Sequence, residues 1–229
     1  MEEWLKGNIL RVRKRIEDAA KRANRDPEEI TMIAVTKTVP PALINAAFEY
    51  DIIHIGENKV QELTGKQIST NSGIKWHFIG QLQRNKVKYI IGNVSLIHSL
   101  DRIELAEEIQ KESKKANLKT PVLVQVNIAG ETTKGGLNVQ QIEGFLEAVS
   151  QMPNLSVCGL MAIPPAAENA EESRPWFREM RILRDELTGK KIPNIDLFEL
   201  SMGMSGDFEV AIEEGATMVR IGTAIFGKR

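Results

Sequence analysis

Apolar and polar positions alternate along the chain with two different periods. Short β-branched runs have the length and composition of buried strands, and longer stretches with apolar residues every three or four positions separate them. Strands that alternate with helices in this way are typical of a parallel α/β fold. The predicted strands span residues 31–36, 52–55, 75–79, 95–98, 121–127, 155–160, 196–200 and 217–221.

The number of strands favours a closed barrel over an open sheet. A (β/α)8 TIM barrel needs eight strands and about 250 residues, and this chain has 229. The alternative, a doubly wound open sheet, is weakened because no G-x-G-x-x-G sequence follows the first strand. No stretch has the composition of a linker, so we predict a single barrel domain over residues 1–229 that begins with a helix.

Several helices are marked by capping residues at their starts. A Ser, Thr, Asp or Asn side chain followed three residues later by Glu or Gln can form a reciprocal cap. The resulting predictions are an N-terminal amphipathic helix, an N-cap at Asp26, the pair Asp101–Glu104 opening a helix at 103–116, the pair Asn138–Gln141 opening a helix at 139–150, a helix at 174–187, and a cap at Asp207 for a helix from Phe208.

The composition is that of an ordinary globular protein, with 42% hydrophobic and 27% charged residues. A formal net charge of −1 gives no attraction to nucleic acid or to an anionic membrane. No segment is apolar for long enough to span a bilayer, and the first residues lack the basic and apolar parts of a secretory signal. The single cysteine, Cys158, suits a reducing compartment. We therefore predict a cytoplasmic protein that binds neither nucleic acid nor membrane.

Two glycine- and hydroxyl-rich turns near the end of the chain form a candidate phosphate site. One follows the seventh strand and contains Ser201 and Ser205, and the other follows the eighth strand and contains Gly222 and Thr223. Backbone N–H groups in such turns, at the start of a helix, bind anions. In a barrel both turns belong to the rim at the C-terminal ends of the strands, where active sites lie. Two ordinary loops are the alternative.

Lys37 directly follows the first strand and therefore belongs to the same rim. A lysine in this place either extends past the strand end into water or has a lowered pKa that frees its amine to attack an aldehyde. Together with a phosphate site, Lys37 indicates a phosphorylated carbonyl compound held as a Schiff base. A Schiff-base sugar-phosphate aldolase and a site for pyridoxal 5′-phosphate (PLP) both fit this chemistry.

The remaining polar residues distinguish only in part between an aldolase and a PLP site. An arginine such as Arg220 beside the pyridine nitrogen of PLP would keep that nitrogen unprotonated and weaken the ring as an electron sink. His54, His77 and His98 lack the spacing of metal ligands. We expect these histidines to be satisfied residues of the core or rim, and we predict no metal site.

Beyond these single residues, the sequence resembles the pyridoxal phosphate homeostasis proteins, the YggS/PROSC family. One departure is Lys59, where family members often carry an aromatic residue. The match covers nearly the whole chain and includes the motifs A-V-T-K-T at 34–38, G-E-N at 56–58, W-H-F-I-G at 76–80, H-S-L-D at 98–101, Q-V-N at 125–127, G-L-M-A-I-P at 159–164, S-M-G-M-S at 201–205 and R-I-G-T-A-I-F-G at 220–227.

The resemblance implies a fold, a cofactor and a set of site residues. The fold is a barrel like the N-terminal domain of alanine racemase, PLP fold type III, and the cofactor is PLP. Lys134 is given no cofactor role. The residues assigned by the resemblance are Lys37 for the Schiff base, Ser201, Gly222 and Thr223 together with Ser205 for the phosphate, Arg220 for the pyridine nitrogen, and Asn58 and His77 for the ring.

The resemblance also implies a carrier in PLP homeostasis, which buffers the cofactor or delivers it to PLP-dependent apoenzymes without robust turnover. The alternative is a PLP-dependent amino-acid racemase, which needs an acid–base group on each face of the bound amino acid. In alanine racemases a tyrosine of an added C-terminal domain supplies the second group. Because the sequence ends at Arg229, and because Tyr50 and Tyr89 fall away from the predicted rim, we favour a monomeric carrier. The aldolase hypothesis has no motif support.

Overall fold

The computed structural model describes residues 3–131 and 135–227, which form a closed parallel barrel. Each strand pairs with the next along the chain, and the last strand pairs with the first. The single (β/α)8 fold predicted from the sequence is confirmed. The strands are β1 (Thr31–Val35), β2 (His54–Glu57), β3 (Lys75–Phe78), β4 (Leu96–Leu100), β5 (Thr120–Val126), β6 (Leu155–Ala162), β7 (Ile195–Ser201) and β8 (Met218–Ile221).

Helices follow the strands and cover the outside of the barrel. The three longest helices after the first agree with their predicted bounds to within two residues. The helices are α1 (Glu3–Arg22), α2 (Pro41–Phe48), α3 (Val60–Gln67), α4 (Ile103–Lys115), α5 (Val139–Val149), α6 (Arg174–Gly189), α7 (Phe208–Glu213) and α8 (Thr223–Phe226), with short 3₁₀ helices at Pro27–Glu29, Arg84–Tyr89 and Ala170–Ser173. Within the residues that the structure describes, no helix is both long and apolar enough to cross a membrane.

Two of the predicted caps are confirmed. Asn138 and Gln141 form a reciprocal capping box at the start of α5, in which Gln141 Oε1 accepts a hydrogen bond from the Asn138 N–H at 3.0 Å. The Asp26 carboxylate accepts from the Glu28 N–H at 3.0 Å and caps the first 3₁₀ helix. Both side chains use the free N–H groups that every helix start leaves unpaired.

Two other capping predictions are wrong. Arg102, not Asp101, occupies the N-cap position of α4, and the Asp101 carboxylate instead pairs with the Arg102 guanidinium. Asp207 does precede α7, but its carboxylate accepts from the Met204 N–H at 2.7 Å rather than from the first turn of the helix. In both cases a local donor outside the first turn of the helix engages the carboxylate. Asp207 therefore stabilises the turn between β7 and α7.

The apolar core has two parts, as a filled barrel requires. The larger part lies between the strands and the surrounding helices and includes most buried Leu, Ile and Val side chains. A separate cluster comes from five different strands and therefore fills the inside of the barrel. Its members are Ile33, Leu96, Leu123, Met161 and Met218.

The N-terminal helix closes the fold by packing against α7 and α8. Arg15 pairs with Glu209 at 2.7 Å and Arg22 pairs with Glu213 at 2.7 Å, both across more than 190 residues of sequence. Asn8 Nδ2 donates to the main-chain oxygen of Ile225 at 2.8 Å. The start of the chain thus supports the last strand–helix unit, which carries the candidate phosphate turn.

Candidate functional site

The rim of the barrel contains a cavity of about 380 Å³ where β1, β7 and β8 end. Five of the eight residues predicted for the site line this cavity. Its lining consists of Val35, Lys37, Met204, Ser205, Gly206, Arg220, Gly222 and Thr223. An amine, a guanidinium group and hydroxyl groups therefore face one space, although they come from both ends of the sequence.

Two backbone amides at the rim point toward one oxygen atom. Ser205 Oγ accepts hydrogen bonds from the Gly222 N–H at 3.1 Å and from the Ala224 N–H at 3.3 Å. These amides mark the start of α8, where unpaired N–H groups favour an anion. An oxygen of a phosphate group is an acceptor of the kind these amides bind, so the turn fits a phosphate.

The turn after β7 brings Ser205 to this position and depends on Gly203. Gly203 has a φ of +89°, in the left-handed region that favours glycine. A Cβ atom at this position would lie 2.5 Å from Ala211 Cβ and 3.0 Å from Phe208 Cα. The main-chain oxygen of Gly203 also accepts from the Arg220 N–H at 3.0 Å, so the turn is joined directly to β8.

Arg220 is buried, with 4% of its surface exposed, and its guanidinium group is clamped on two sides. Nη1 donates to Ser201 Oγ at 2.6 Å, and Nη2 donates to the main-chain oxygen of Ala162 at 2.9 Å. Burial lowers the pKa of Arg220 to about 10, so the group remains charged at neutral pH. The side chain therefore brings a fixed positive charge to the cavity that it lines.

The three histidines form a hydrogen-bonded chain inside the barrel. His54 Nδ1 lies 2.9 Å from His77 Nε2, and His77 Nδ1 lies 3.0 Å from His98 Nε2. The chain ends at Ser201 Oγ, which is 2.9 Å from His98 Nδ1 and also accepts from Arg220. The expectation that these histidines are satisfied residues is therefore correct, but the sequence did not indicate that they bond to one another.

Burial keeps this chain neutral. Desolvation, followed by the charges of His54 and Lys75, lowers the pKa of His77 to about 3. Desolvation, followed by the charges of His77 and Arg220, places the pKa of His98 well below its usual value. The pKa of His54 is lowered by burial and by Lys75. Among the described residues no group of three or more His, Cys, Asp or Glu side chains is arranged to hold a metal ion.

A buried ion pair fixes the backbone on the N-terminal side of Lys37. Lys66 Nζ lies 2.5 Å from Glu57 Oε1 and donates to the main-chain oxygen of Thr36 at 2.8 Å. The Thr36 hydroxyl donates to the same Glu57 oxygen at 2.8 Å. Glu57 is fully buried, so this pair lies in the core and not on the surface.

The backbone on the other side of Lys37 is also held. The Thr38 N–H donates to Glu62 Oε2 at 3.2 Å, and this bond lowers the pKa of Glu62. Thr38 has a φ of +64°, an unusual conformation for a β-branched residue. Sequence reasoning missed Glu57, Glu62 and Lys66; the signal that could have found them is the acidic residue at the end of β2 followed by Glu62 and Lys66 one turn apart on α3.

The structure does not bring all the predicted residues to the cavity. Ser201 is fully buried and its hydroxyl is engaged by His98 and Arg220. His77 is 2% exposed and is bonded on both sides within the histidine chain. Asn58 is exposed and lines a separate cavity of about 200 Å³ at the ends of β2 and β3, together with Lys59. Lys134 lies outside the described residues.

The barrel and its rim site define a protein of the alanine racemase N-terminal domain class. The family model described as "Alanine racemase, N-terminal domain" matches residues 8–229. A solved alanine racemase from Clostridium difficile 630 superposes with a TM-score of 0.75 over 98% of this chain and 56% of that chain. At 14% sequence identity, this likeness shows the fold alone.

Within that class, the chain belongs to the pyridoxal phosphate homeostasis protein family. The protein of that name from Aquifex aeolicus is 50% identical over 96% of this chain and 96% of its own length, and that from Pseudomonas aeruginosa is 42% identical over 97% and 94%. PipY of Synechococcus elongatus PCC7942, solved with PLP bound, is 32% identical with a TM-score of 0.81 over 93% of this chain and 100% of that chain. The family resemblance noted in the sequence is therefore confirmed.

Proposed function

We propose that this protein binds PLP in the rim cavity and acts in PLP homeostasis, holding the cofactor as a Schiff base on Lys37. The observation that carries the proposal is that Lys37, Arg220, Ser205 and Gly222, whose N–H is bonded to Ser205, line one cavity. The family's name and the PLP-bound PipY structure support the same ligand.

The donor set of the cavity fits the three functional groups of PLP. The Lys37 amine suits the aldehyde, the amides of Gly222 and Ala224 with the hydroxyls of Ser205 and Thr223 suit the phosphate, and Arg220 suits the ring nitrogen. When bound, PLP supplies an aldehyde that condenses reversibly with an amine and a ring that accepts electrons. Lys37 is exposed, so a ligand can reach the amine from solvent.

Arg220 favours retention of the cofactor over turnover. A guanidinium group can only donate hydrogen bonds, so it stabilises a ring nitrogen that is an unprotonated acceptor. That form of the ring is a weak electron sink, which disfavours the carbanion chemistry of most PLP enzymes. This arrangement supports a carrier that buffers or delivers PLP.

The racemase alternative requires a second acid–base group opposite Lys37. Neither Tyr50 nor Tyr89 lines the cavity. Tyr50 follows α2 and packs against the core, whereas Tyr89 ends a 3₁₀ helix with 47% of its surface exposed. No tyrosine of this chain is therefore placed for the role, which is why we propose the carrier.

Absorbance spectroscopy tests the proposal directly. After incubation with PLP, the wild-type protein is expected to show a near-ultraviolet or visible Schiff-base band that borohydride removes. Lys37→Ala should lose this band and remain folded, while Lys59→Ala, which removes an exposed lysine at the neighbouring strand end, should keep it. A band that persists in Lys37→Ala would place the covalent link on another lysine.

A polarimetric assay with alanine separates carrier from racemase. The carrier proposal predicts no loss of optical rotation beyond that caused by free PLP. Racemisation at enzymatic rates that disappears in Lys37→Ala would support the alternative.

We further propose that the protein is a cytoplasmic monomer whose partners are PLP-dependent apoenzymes. The supporting observations are the single cysteine, the charge near neutrality and the exposed rim. Sedimentation of the PLP-loaded protein tests the monomer. Reactivation of an apoenzyme in the presence of a scavenger of free PLP tests delivery: activation that the scavenger abolishes would exclude direct transfer.

A further inference from the structure

The histidine chain runs along the inside of the barrel toward Arg220. His54 on β2 is in register with Lys75 on β3, and His77 lies two residues further along that strand. His77 is in turn in register with Leu96 on β4, and His98 again lies two residues further. Each step moves the chain toward the C-terminal ends of the strands, where His98 reaches Ser201.

Arg220, at one end of the histidine chain, fixes the direction of the hydrogen bonds within that chain. Arginine has N–H donors and no acceptor, so Ser201 Oγ must accept from Arg220 Nη1. Within residues 3–131 and 135–227, the other polar partner of this oxygen is His98 Nδ1. The Ser201 hydroxyl hydrogen is therefore used best as a donor to His98 Nδ1.

The neutral imidazole rings continue this donor-to-acceptor direction from one hydrogen bond to the next. A neutral imidazole that accepts at Nδ1 carries its proton on Nε2. His98 Nε2–H then donates to His77 Nδ1, and His77 Nε2–H donates to His54 Nδ1. One arrangement of protons thus satisfies every bond from Arg220 to His54.

We propose that Ser201 and His98 are positioning residues that hold the Arg220 guanidinium in the orientation required at the ring nitrogen of the cofactor. The hydrogen bonds to Ser201 and Ala162 use one N–H of Nη1 and one N–H of Nη2. They fix the plane of the guanidinium group and leave three of its five N–H donors for other partners. This inference rests on the proposed function for its ligand, but the order of the hydrogen bonds does not.

The buried position of Ser201 supports this role. Its hydroxyl lies within the barrel and its two contacts already use the donor and one acceptor site. Ser205, on the other hand, is partly exposed and lines the cavity beside Gly222. We therefore assign the phosphate to the Ser205 side of the turn and the orientation of Arg220 to Ser201.

Long-range proton–nitrogen NMR of the ¹⁵N-labelled protein without added ligand tests the bond order. The wild type is expected to show His98 and His77 as neutral rings protonated at Nε2. In Ser201→Ala, His98 loses its donor at Nδ1 and its tautomer preference is expected to change. A wild-type His98 proton on Nδ1 would overturn the proposed order.

PLP binding tests the positioning role, and Ser99 provides a matched control. Ser99 is a neighbouring buried serine whose Oγ has no hydrogen-bond partner in the described part of the chain. Ser201→Ala should weaken PLP binding by about tenfold to a hundredfold, the range for a hydrogen bond to a charged group, and shift the absorbance maximum. Ser201→Thr, which keeps a hydroxyl, should restore both properties, and Ser99→Ala should match the wild type.

The outcomes separate this inference from the proposed function. A wild-type protein that does not bind PLP would refute the function and leave the NMR result to judge the hydrogen-bond order. A wild type that binds PLP, with Ser201→Ala equal to Ser99→Ala in affinity and spectrum, would refute the positioning role alone. If Ser201→Ala does not fold, His98→Gln is measured against Ser99→Ala on the same criteria.

Discussion

Lys66 Nζ lies 2.8 Å from the main-chain oxygen of Thr36, the residue immediately before Lys37. A lysine on α3 thereby fixes the backbone from which another lysine projects into the rim cavity. The two amines have different surroundings: Lys66 is buried against Glu57, whereas Lys37 is exposed. The sequence contains both lysines, but only their environments separate the structural role of Lys66 from the chemical role proposed for Lys37.

Removing the Lys66 charge should destabilise the fold strongly. Lys66→Met leaves the fully buried Glu57 carboxylate without its cation, which costs about 3–5 kcal/mol for a broken buried pair. Urea unfolding should show this loss, and Lys59→Met, at an exposed lysine, should show less than about 0.5 kcal/mol. The double variant Lys66→Met, Glu57→Gln should recover part of the loss, because the buried carboxylate is then neutralised; no recovery would contradict this explanation.

A methyl group at Gly203 should disturb the turn that carries Ser205. Gly203→Ala combines a positive φ with a Cβ only 2.5 Å from Ala211 Cβ, and backbone strain and overpacking together cost about 2–5 kcal/mol. Gly206→Ala is the control, because a Cβ there meets nothing within 4 Å. Thermal and urea unfolding of the two variants should differ clearly. Equal stability would mean that the turn relaxes without cost.

The histidine chain should make the protein less stable as the pH falls below about 6.5, the ordinary histidine value. The folded-state pKa of each histidine is lowered, to about 3 for His77, so between those values the unfolded chain binds more protons. Stability is then complete above pH 6.5 and decreases on acidification by about 1.4 kcal/mol per pH unit for each histidine that stays neutral.

Unfolding measured between pH 7 and pH 5 checks this sign, because most carboxylates titrate below that window. His54→Asn, which removes the outermost ring, should reduce the slope of stability against pH. A slope that is unchanged in this variant, or stability that rises toward pH 5, would contradict the assignment.

The barrel was predictable because eight short β-branched runs alternate with helical stretches along the chain, the pattern of a parallel α/β fold. The convergence of Lys37, Arg220 and Gly222 also followed, since residues at or just after the C-terminal ends of parallel strands share one rim. The capping positions were less predictable. Asp101 and Asp207 have the right residue type, but the Asp101 carboxylate pairs with Arg102 and the Asp207 carboxylate accepts from the Met204 N–H.

The interior of the site could not be predicted in the same way. His54, His77 and His98 stand one per strand, and their contact depends on the stagger between neighbouring strands, which the sequence does not state. Ser201 and Ser205 have the same residue type and were predicted in one turn, yet Ser201 ends β7 and faces the barrel interior, whereas Ser205 lies in the turn and lines the cavity. The direction of each side chain was decided by packing that involves distant parts of the chain.

Pairing between β1 and β8 has a consequence for protein synthesis. Ala34 on β1 is in register with Ile221 on β8, so Lys37 and Gly222 become neighbours only when the barrel closes. A ribosome extends the chain from its N-terminus, and Lys37 therefore leaves the ribosome long before the amides that face it exist. The emerging chain therefore exposes the Lys37 amine with no complete cavity around it until β8 and the turn that follows it have been translated.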